Sequence, residues 1–396
     1  MIVPVLPLCL LLAGCESHLQ APVAPLEDVA QKVPVHRGQS IQSVVDAQPA
    51  GTTFLIKAGV HRRQSVRPKD GMTFVGEDGA VLDGENAVEY AFRGDSPKVH
   101  DVTIRNLEIK GYNSPLQYGA IRGGGNLPAD SPSGWVVEDC YIHHNAALGI
   151  RTGHRMVVRN NRLVYNGQMG MGGNGDNILV EGNEIAHNNT RGIYSGWEAG
   201  GTKFVFTRNL VVRGNHVHNN RGPGLWADID NLDSVFENNR VEDNQGVGIV
   251  FEISFGAVIR NNHVEGNGWG DADGWVGGAG ILVQSSQDVE VYGNTVKNNN
   301  NGIIGLSEPR GTSLHGEKEV RNLWVHDNTV VQSGNWAAGI AAHDGDKPMI
   351  YTNWGNRFDH NTYTVGSGTH FDWQIVHSTW DRWRAQGQDI NGTLTR

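Results

Sequence analysis

One phrase recurs along most of this chain: an apolar residue, two variable positions, Asn, one position, an apolar residue, two positions and a second Asn. It appears as VVRNNRLVYN, LVEGNEIAHN, VVRGNHVHNN, FENNRVEDN, IRNNHVEGN and VYGNTVKNN. The first Asn falls at Asn161, Asn183, Asn215, Asn239, Asn262, Asn294 and Asn328. The second falls five residues later, from Asn166 to Asn299. Successive intervals are 22, 32, 24, 23, 32 and 34, so the base period is about 22 with insertions of about 10. A second phrase, Gly (Ala120 in the first case) followed by Ile, Leu or Met, keeps the same period and places Ile121, Ile150, Met171, Ile193, Leu225, Ile249, Ile281, Ile303 and Ile340 in equivalent positions. Repeats of this length, each with short apolar runs between turns, cannot bury a core alone and must stack. The pattern predicts a parallel β-solenoid. Its strands are short and about 4.8 Å apart, and Asn holds the tight turns.

Composition agrees. Gly, at 53 of 396 residues, is about twice its usual share. That disfavours helical bundles and coiled coils, and Gly lacks the triplet period of collagen. The formal charge of −10 argues against a partner with a phosphate backbone, so no nucleic acid is expected. No HExxH, GxSxG, P-loop or zinc-type CxxC spacing occurs.

The repeat resembles right-handed parallel β-helix proteins of the pectate-lyase-like superfamily over roughly residues 38–375. The opening GVHRRQSVRPKDGMTFVGEDGAVLDG resembles the first coil of that group. The resemblance implies an all-β, single-stranded right-handed helix of about 10–12 coils. Residues 38–48, with Ile41, Val44 and Val45 at helical spacing, are expected to form an N-terminal capping helix. Residues 376–396, with Trp380 and Trp383, are expected to cap the other end, next to Trp373. Residues 1–14 read as a secretory leader, too short to span a bilayer. Leu12-Ala13-Gly14-Cys15 resembles a bacterial lipobox, which implies a lipid on Cys15 and a tether over 15–37. The alternative is an ordinary signal peptide. With the lipid, the protein is expected to be a monomer held in the cell envelope after crossing the inner membrane.

Strand alternation sorts the Gly-Ile phrase into faces. Ile249, Phe251 and Ile253 are predicted to point inward, and Val250, Glu252 and Ser254 outward. The same register sets Asn174, Gly196, Asp228, Glu252, Gln284, Leu306 and His343 in one outer row, and Arg122, Arg151, Tyr194, Trp226, Val250 and Leu282 in another. Insertions beside these rows carry Trp197, Trp269 and Trp275, aromatics suited to stacking on sugar rings. Asp228 and Glu252, 24 residues apart, are expected to sit side by side on neighbouring coils. Asp230 follows on the same face if the strand runs that far. Like charges this close raise one pKa, as an acid beside a base or nucleophile requires. Three uses stay open: catalysis, a calcium site of Asp228, Asp230 and Glu252, or ion pairs on a solvated face. Glu198, His343 and Asp344 are weaker candidates.

The resemblance implies action on polysaccharides. Lyases of that group commonly use Lys or Arg as base, often with calcium. The predicted stripe offers Arg122 and Arg151 but no Lys. A hydrolase needs two carboxyl groups, which Asp228, Asp230 and Glu252 supply. The expectation is therefore a glycoside hydrolase that requires no cofactor. Trp226, Tyr194, Gln284, Asn174, Arg151, Arg122, Trp197, Trp269, Trp275 and His343 would bind the polymer. A lyase or epimerase acting on uronates, or a non-catalytic surface carbohydrate-binding protein, are the alternatives.

Overall fold

The structure, a computed structural model, describes residues 32–270, 278–332, 335–343, 348–373 and 376–395. The leader, Cys15 and most of the expected tether lie outside these residues, as does Trp275. Among the described residues no helix is long and apolar enough to cross a membrane.

Each repeat folds into one coil of two or three short strands, and each strand pairs in parallel with its equivalent one coil away. One face of the stack is a 13-stranded parallel sheet from Gly59–Arg62 to Thr393–Thr395, slightly more levels than the 10–12 expected. A second track includes Val157–Arg159, Leu179–Glu181 and Val211–Arg213. A third runs through Leu148–Thr152, Met169–Asp176, Gly200–Arg208, Leu225–Asp228, Ile249–Glu252, Ala279–Gln284 and Asn301–Ser307. These two tracks join where Gly200–Arg208 pairs with both Leu225–Asp228 and Leu232–Glu237. Inward residues such as Val158, Leu163, Ile185, Phe236, Ile249 and Phe251 are fully buried and form one continuous core. This is a parallel β-helix.

The recurring Asn residues explain the period. Oδ1 of Asn239 accepts the backbone N–H and the Nδ2 of Asn215, both at 3.0 Å. Its own Nδ2 donates to Val212 O at 2.9 Å and to Asn262 Oδ1 at 3.0 Å. Each Asn thus accepts from the coil before and donates to the coil after, which neither Asp nor Leu can do. The preceding residue, such as Asn160 (φ 55°) or Asn238 (φ 54°), adopts the left-handed conformation that Asn tolerates. This ladder runs to Asn361 and ends on Asp389 Oδ1 at 2.9 Å. Asp389 only has to accept. Its other oxygen takes Tyr363 Oη at 2.8 Å and Trp383 Nε1 at 2.9 Å, so the ladder terminates inside the C-terminal cap. Burial pushes the Asp389 carboxyl above its ordinary pKa.

Both ends are closed. A helix over Ile41–Asp46, N-capped by Ser40, buries Ile41 and Val45 against the first coil. At the far end Phe371–Trp373 pairs antiparallel with Val376–Ser378, which breaks the parallel stacking. The helix Trp380–Ala385 then packs Trp383 against Trp373.

Candidate active site

Asp228 and Glu252 end two neighbouring strands of the third track. They are direct partners in the register, and Gln284 continues the row on the next coil. Leu225 and Ala227, with Ile249 and Phe251, turn into the core, so the alternation sends Asp228 and Glu252 to the outer face. That face is not open to solvent. The side chains of Asp228 and Glu252 are 7 % and 9 % exposed. Trp226, Val250, Leu282 and Ile304 beside them form a second apolar cluster.

Each acid is met by a cation. Lys203 Nζ lies 2.8 Å from Asp228 Oδ2 and 3.8 Å from the centre of the Trp226 ring, and it donates to Trp197 O at 2.6 Å. Asp228 Oδ1 is buried with no hydrogen-bond partner among the described residues. Arg310 Nη1 lies 2.6 Å from Glu252 Oε1, and Trp226 Nε1 donates to Glu252 Oε2 at 3.1 Å. Burial, and then the charge of Asp228, push the Glu252 carboxyl above its ordinary pKa. Arg310 and Lys203 pull in the other direction. A third carboxyl, Glu198, accepts from Gln117 Nε2 and is also raised by burial.

Sequence reasoning missed Lys203. The Gly192-Ile193 pair, fourth in the Gly-Ile phrase, lies in a turn that leads into a short helix over Ser195–Glu198. The strand of that coil is Gly200–Arg208, where Gly172 pairs with Lys203 and Val205 pairs with Asp228. Lys203 therefore takes the row position assigned to Tyr194, and Val205 that assigned to Gly196. The signal was present: the Asn183–Asn215 interval of 32 shows that this coil carries about ten extra residues, which the structure places before its strand. Arg310 was also missed, because it reaches Glu252 from an insertion two coils away.

Other expectations need correction. Trp226 is 5 % exposed, packed by Lys203 and the apolar cluster, and so is not an open sugar platform. Asp230 does not extend the outer row. Ile229 (φ 61°) and Asp230 (φ 55°) turn the chain, and Asp230 Oδ1 lies 3.6 Å from Lys318 Nζ. His343 is two residues out of the row, since Leu306 pairs with Ala341, and its ring faces Glu308 Oε1 at 3.3 Å. Asn174 is fully buried and holds the 125–131 loop through Gly125 O, Asn126 O and Ser131 Oγ. Arg151 donates to Gly125 O and Gln117 O. Arg122 pairs with Asp95 at 2.7 Å and stacks on Tyr118 at 3.7 Å. Burial lowers the pKa of both arginines. Gln284 donates to Glu308 Oε2 at 2.6 Å. Tyr194, Trp197 and Trp269 are exposed, at 74 %, 49 % and 60 %.

The acids do not fit a calcium site. Calcium takes six to eight oxygens, whereas a cationic side chain sits against each member of the trio. Among the described residues, His and carboxylate ligand atoms converge instead at Glu242, His263 and Glu265 on the 13-stranded sheet, where Arg240 already holds Glu242 at 2.6 Å.

A family model described as "Right handed beta helix region" matches residues 78–195 and 129–296, together more than half of the chain. The chain belongs to the right-handed β-helix family. No curated protein matches it. Among solved structures, the catalytic domain of a GH87 α-1,3-glucanase in complex with tetrasaccharides is 14 % identical. That match covers 95 % of this chain and 70 % of that one, with a TM-score of 0.57. The PL6 family alginate lyase AlyGC is 13 % identical over 87 % of this chain and 53 % of that one, at 0.56. A PL6 alginate lyase in complex with a trisaccharide is 14 % identical over 87 % and 88 %, at 0.54. At these identities the likeness is one of fold.

Proposed function

We propose that this β-helix protein is a carbohydrate-active enzyme that hydrolyses a glycosidic bond in a polysaccharide, with Asp228 and Glu252 as the reacting pair. One observation carries this reading: two buried carboxyl groups are in register on adjacent coils, one with a raised pKa and the other with an unpartnered oxygen. Glu252, which holds its proton to higher pH than an ordinary carboxyl, is the general acid for the leaving oxygen. Asp228 is the nucleophile. In-register strands lie about 4.8 Å apart, near the roughly 5–5.5 Å of retaining glycosidases. Asp230, which on a continued strand would stand diagonally to Glu252 at a spacing suited to inversion, lies against Lys318 instead, which supports the Asp228–Glu252 pair. Exposed Trp197 and Trp269 are the sugar-stacking candidates. Fold neighbours whose names place them on glucan and alginate agree with this substrate class.

A second reading, β-elimination on a uronate polymer, is favoured by Lys203. Its amine lies at the acid pair, and Arg93, Arg122 and Arg151 are in register on preceding coils. The test is Glu252→Gln and Asp228→Asn on a panel of neutral and uronate polysaccharides, following reducing ends and absorbance near 235 nm. Hydrolysis predicts reducing ends without the unsaturated product, and a loss of about 100-fold or more in each variant. Turnover that survives both substitutions refutes the pair as catalytic, and absorbance near 235 nm selects elimination.

A further inference from the structure

Arg310 stands apart from the groups it joins. The side chains of Lys203, Asp228 and Glu252 are 7 %, 7 % and 9 % exposed, whereas that of Arg310 is 33 % exposed. The other three sit on strands of the third track. Arg310 sits on the insertion that follows Asn301–Ser307 and folds back towards earlier coils. That insertion is fastened on both sides of Arg310. Glu308 accepts from Gln284 Nε2 at 2.6 Å and its backbone N–H donates to Ser285 Oγ at 3.0 Å. Lys318 lies against Asp230, and Gln287 Nε2 donates to Glu317 O. The guanidinium is thus delivered to Glu252 by an anchored strap, yet keeps one side in solvent.

We propose that Arg310 is a positioning residue that sets the protonation state of Glu252 in the resting enzyme and must withdraw before Glu252 can act as an acid. Both Glu252 oxygens are engaged at rest, Oε1 by Arg310 and Oε2 by Trp226 Nε1. These two donors, one of them cationic, pull Glu252 towards its charged form against burial and Asp228, and with both oxygens occupied no leaving group can take a proton from it. The remaining charged groups around it are Asp228 and Lys203, with Glu308 behind Arg310 at 3.6 Å. With Arg310 gone, burial and Asp228 act on Glu252 with only Lys203 opposing, and the proton is held to higher pH. The strap therefore couples occupation of the site to arming of the acid: a sugar ring that takes the place of the guanidinium also makes its neighbour a proton donor. This rests on Glu252 being the acid, but its test does not.

The test is a carboxyl-carbon NMR titration of the full chain labelled with ¹³C-Glu. The Glu252 signal is assigned by its absence in Glu252→Gln, and Arg310→Gln and Arg310→Lys are compared with wild type. The expected result is a Glu252 midpoint raised by about one pH unit or more in Arg310→Gln, from the 1–3 units that an adjacent Arg typically contributes. The charge-keeping Arg310→Lys should restore most of the shift. A midpoint in Arg310→Gln within about 0.3 unit of wild type, with the fold retained by circular dichroism, overturns the proposal. If the midpoint moves but Glu252→Gln still turns over substrate, Arg310 keeps this role and the hydrolase assignment fails instead. In an active enzyme, the alkaline limb of the kcat profile should move up with the midpoint in Arg310→Gln, which a merely structural Arg310 would not cause.

Discussion

Lys203→Met tests whether the acid pair is held by a buried counter-charge. Lys203 Nζ and Asp228 Oδ2 are 2.8 Å apart with both side chains 7 % exposed. At an effective dielectric of about 20, that separation corresponds to about 6 kcal/mol of attraction, much of it offset by desolvation. Removing the ammonium leaves the buried Asp228 without its adjacent counter-charge, with Oδ1 already unpartnered. Breaking one side of such a pair costs about 3–5 kcal/mol. The same ammonium also serves Trp197 O and the Trp226 ring, so its loss exceeds that from Asp228→Asn, which leaves both contacts in place. The assay is urea unfolding of wild type, both single variants and Lys203→Met/Asp228→Asn, followed by circular dichroism and by tryptophan fluorescence to detect partial unfolding of the repeat. The double variant should cost less than the sum of the singles by at least about 2 kcal/mol. Strict additivity, within about 0.5 kcal/mol, would show that the two groups do not act as a pair.

The raised Glu252 carboxyl sets a pH signature. Its folded pKa lies above its unfolded value of about 4.3. The stability it contributes is therefore complete below that value and is lost as pH rises through the folded pKa. Glu252→Gln, which cannot ionise, should gain stability relative to wild type from about pH 4 upward. A difference that stays flat with pH in urea unfolding contradicts the shift. In the Asn ladder, Asn239→Leu removes the side-chain partner of the Asn215 N–H and of the Val212 carbonyl, while Asn215 Nδ2 keeps Val180 O and Arg213 O. At about 1–3 kcal/mol for each of these two buried groups, the loss is about 2–6 kcal/mol. Asn238→Ala, one residue earlier in the left-handed turn, should cost about 1–2 kcal/mol. Equal costs at the two positions would refute the ladder as the source of the repeat.

The coils were legible because one residue type has to satisfy two coils at once. Asn161, Asn183 and Asn215 are spaced by the stacking itself, and no other side chain of this length both accepts two N–H groups and donates two. The Asp228–Glu252 register was legible for a related reason: alternation along short strands leaves one choice of face once Ile249 and Phe251 are assigned to the core. Lys203 was hidden by a false strand at Gly192-Ile193, although the 32-residue interval already required the extra residues to be placed somewhere. The burial of Trp226 was also foreshadowed. Its row neighbours Val250, Leu282 and Ile304 are apolar at outward positions, and an apolar outer row on a solenoid calls for a cover rather than for solvent. Arg310 had no such signal. It meets Glu252 only because an insertion doubles back across two coils, a contact that repeat periodicity does not encode. The two missed cations are also what alter the chemistry. Without them, two adjacent carboxylates would repel each other across the outer face. With Lys203 behind Asp228 and Arg310 over Glu252, the pair can be buried with a counter-charge against each carboxyl.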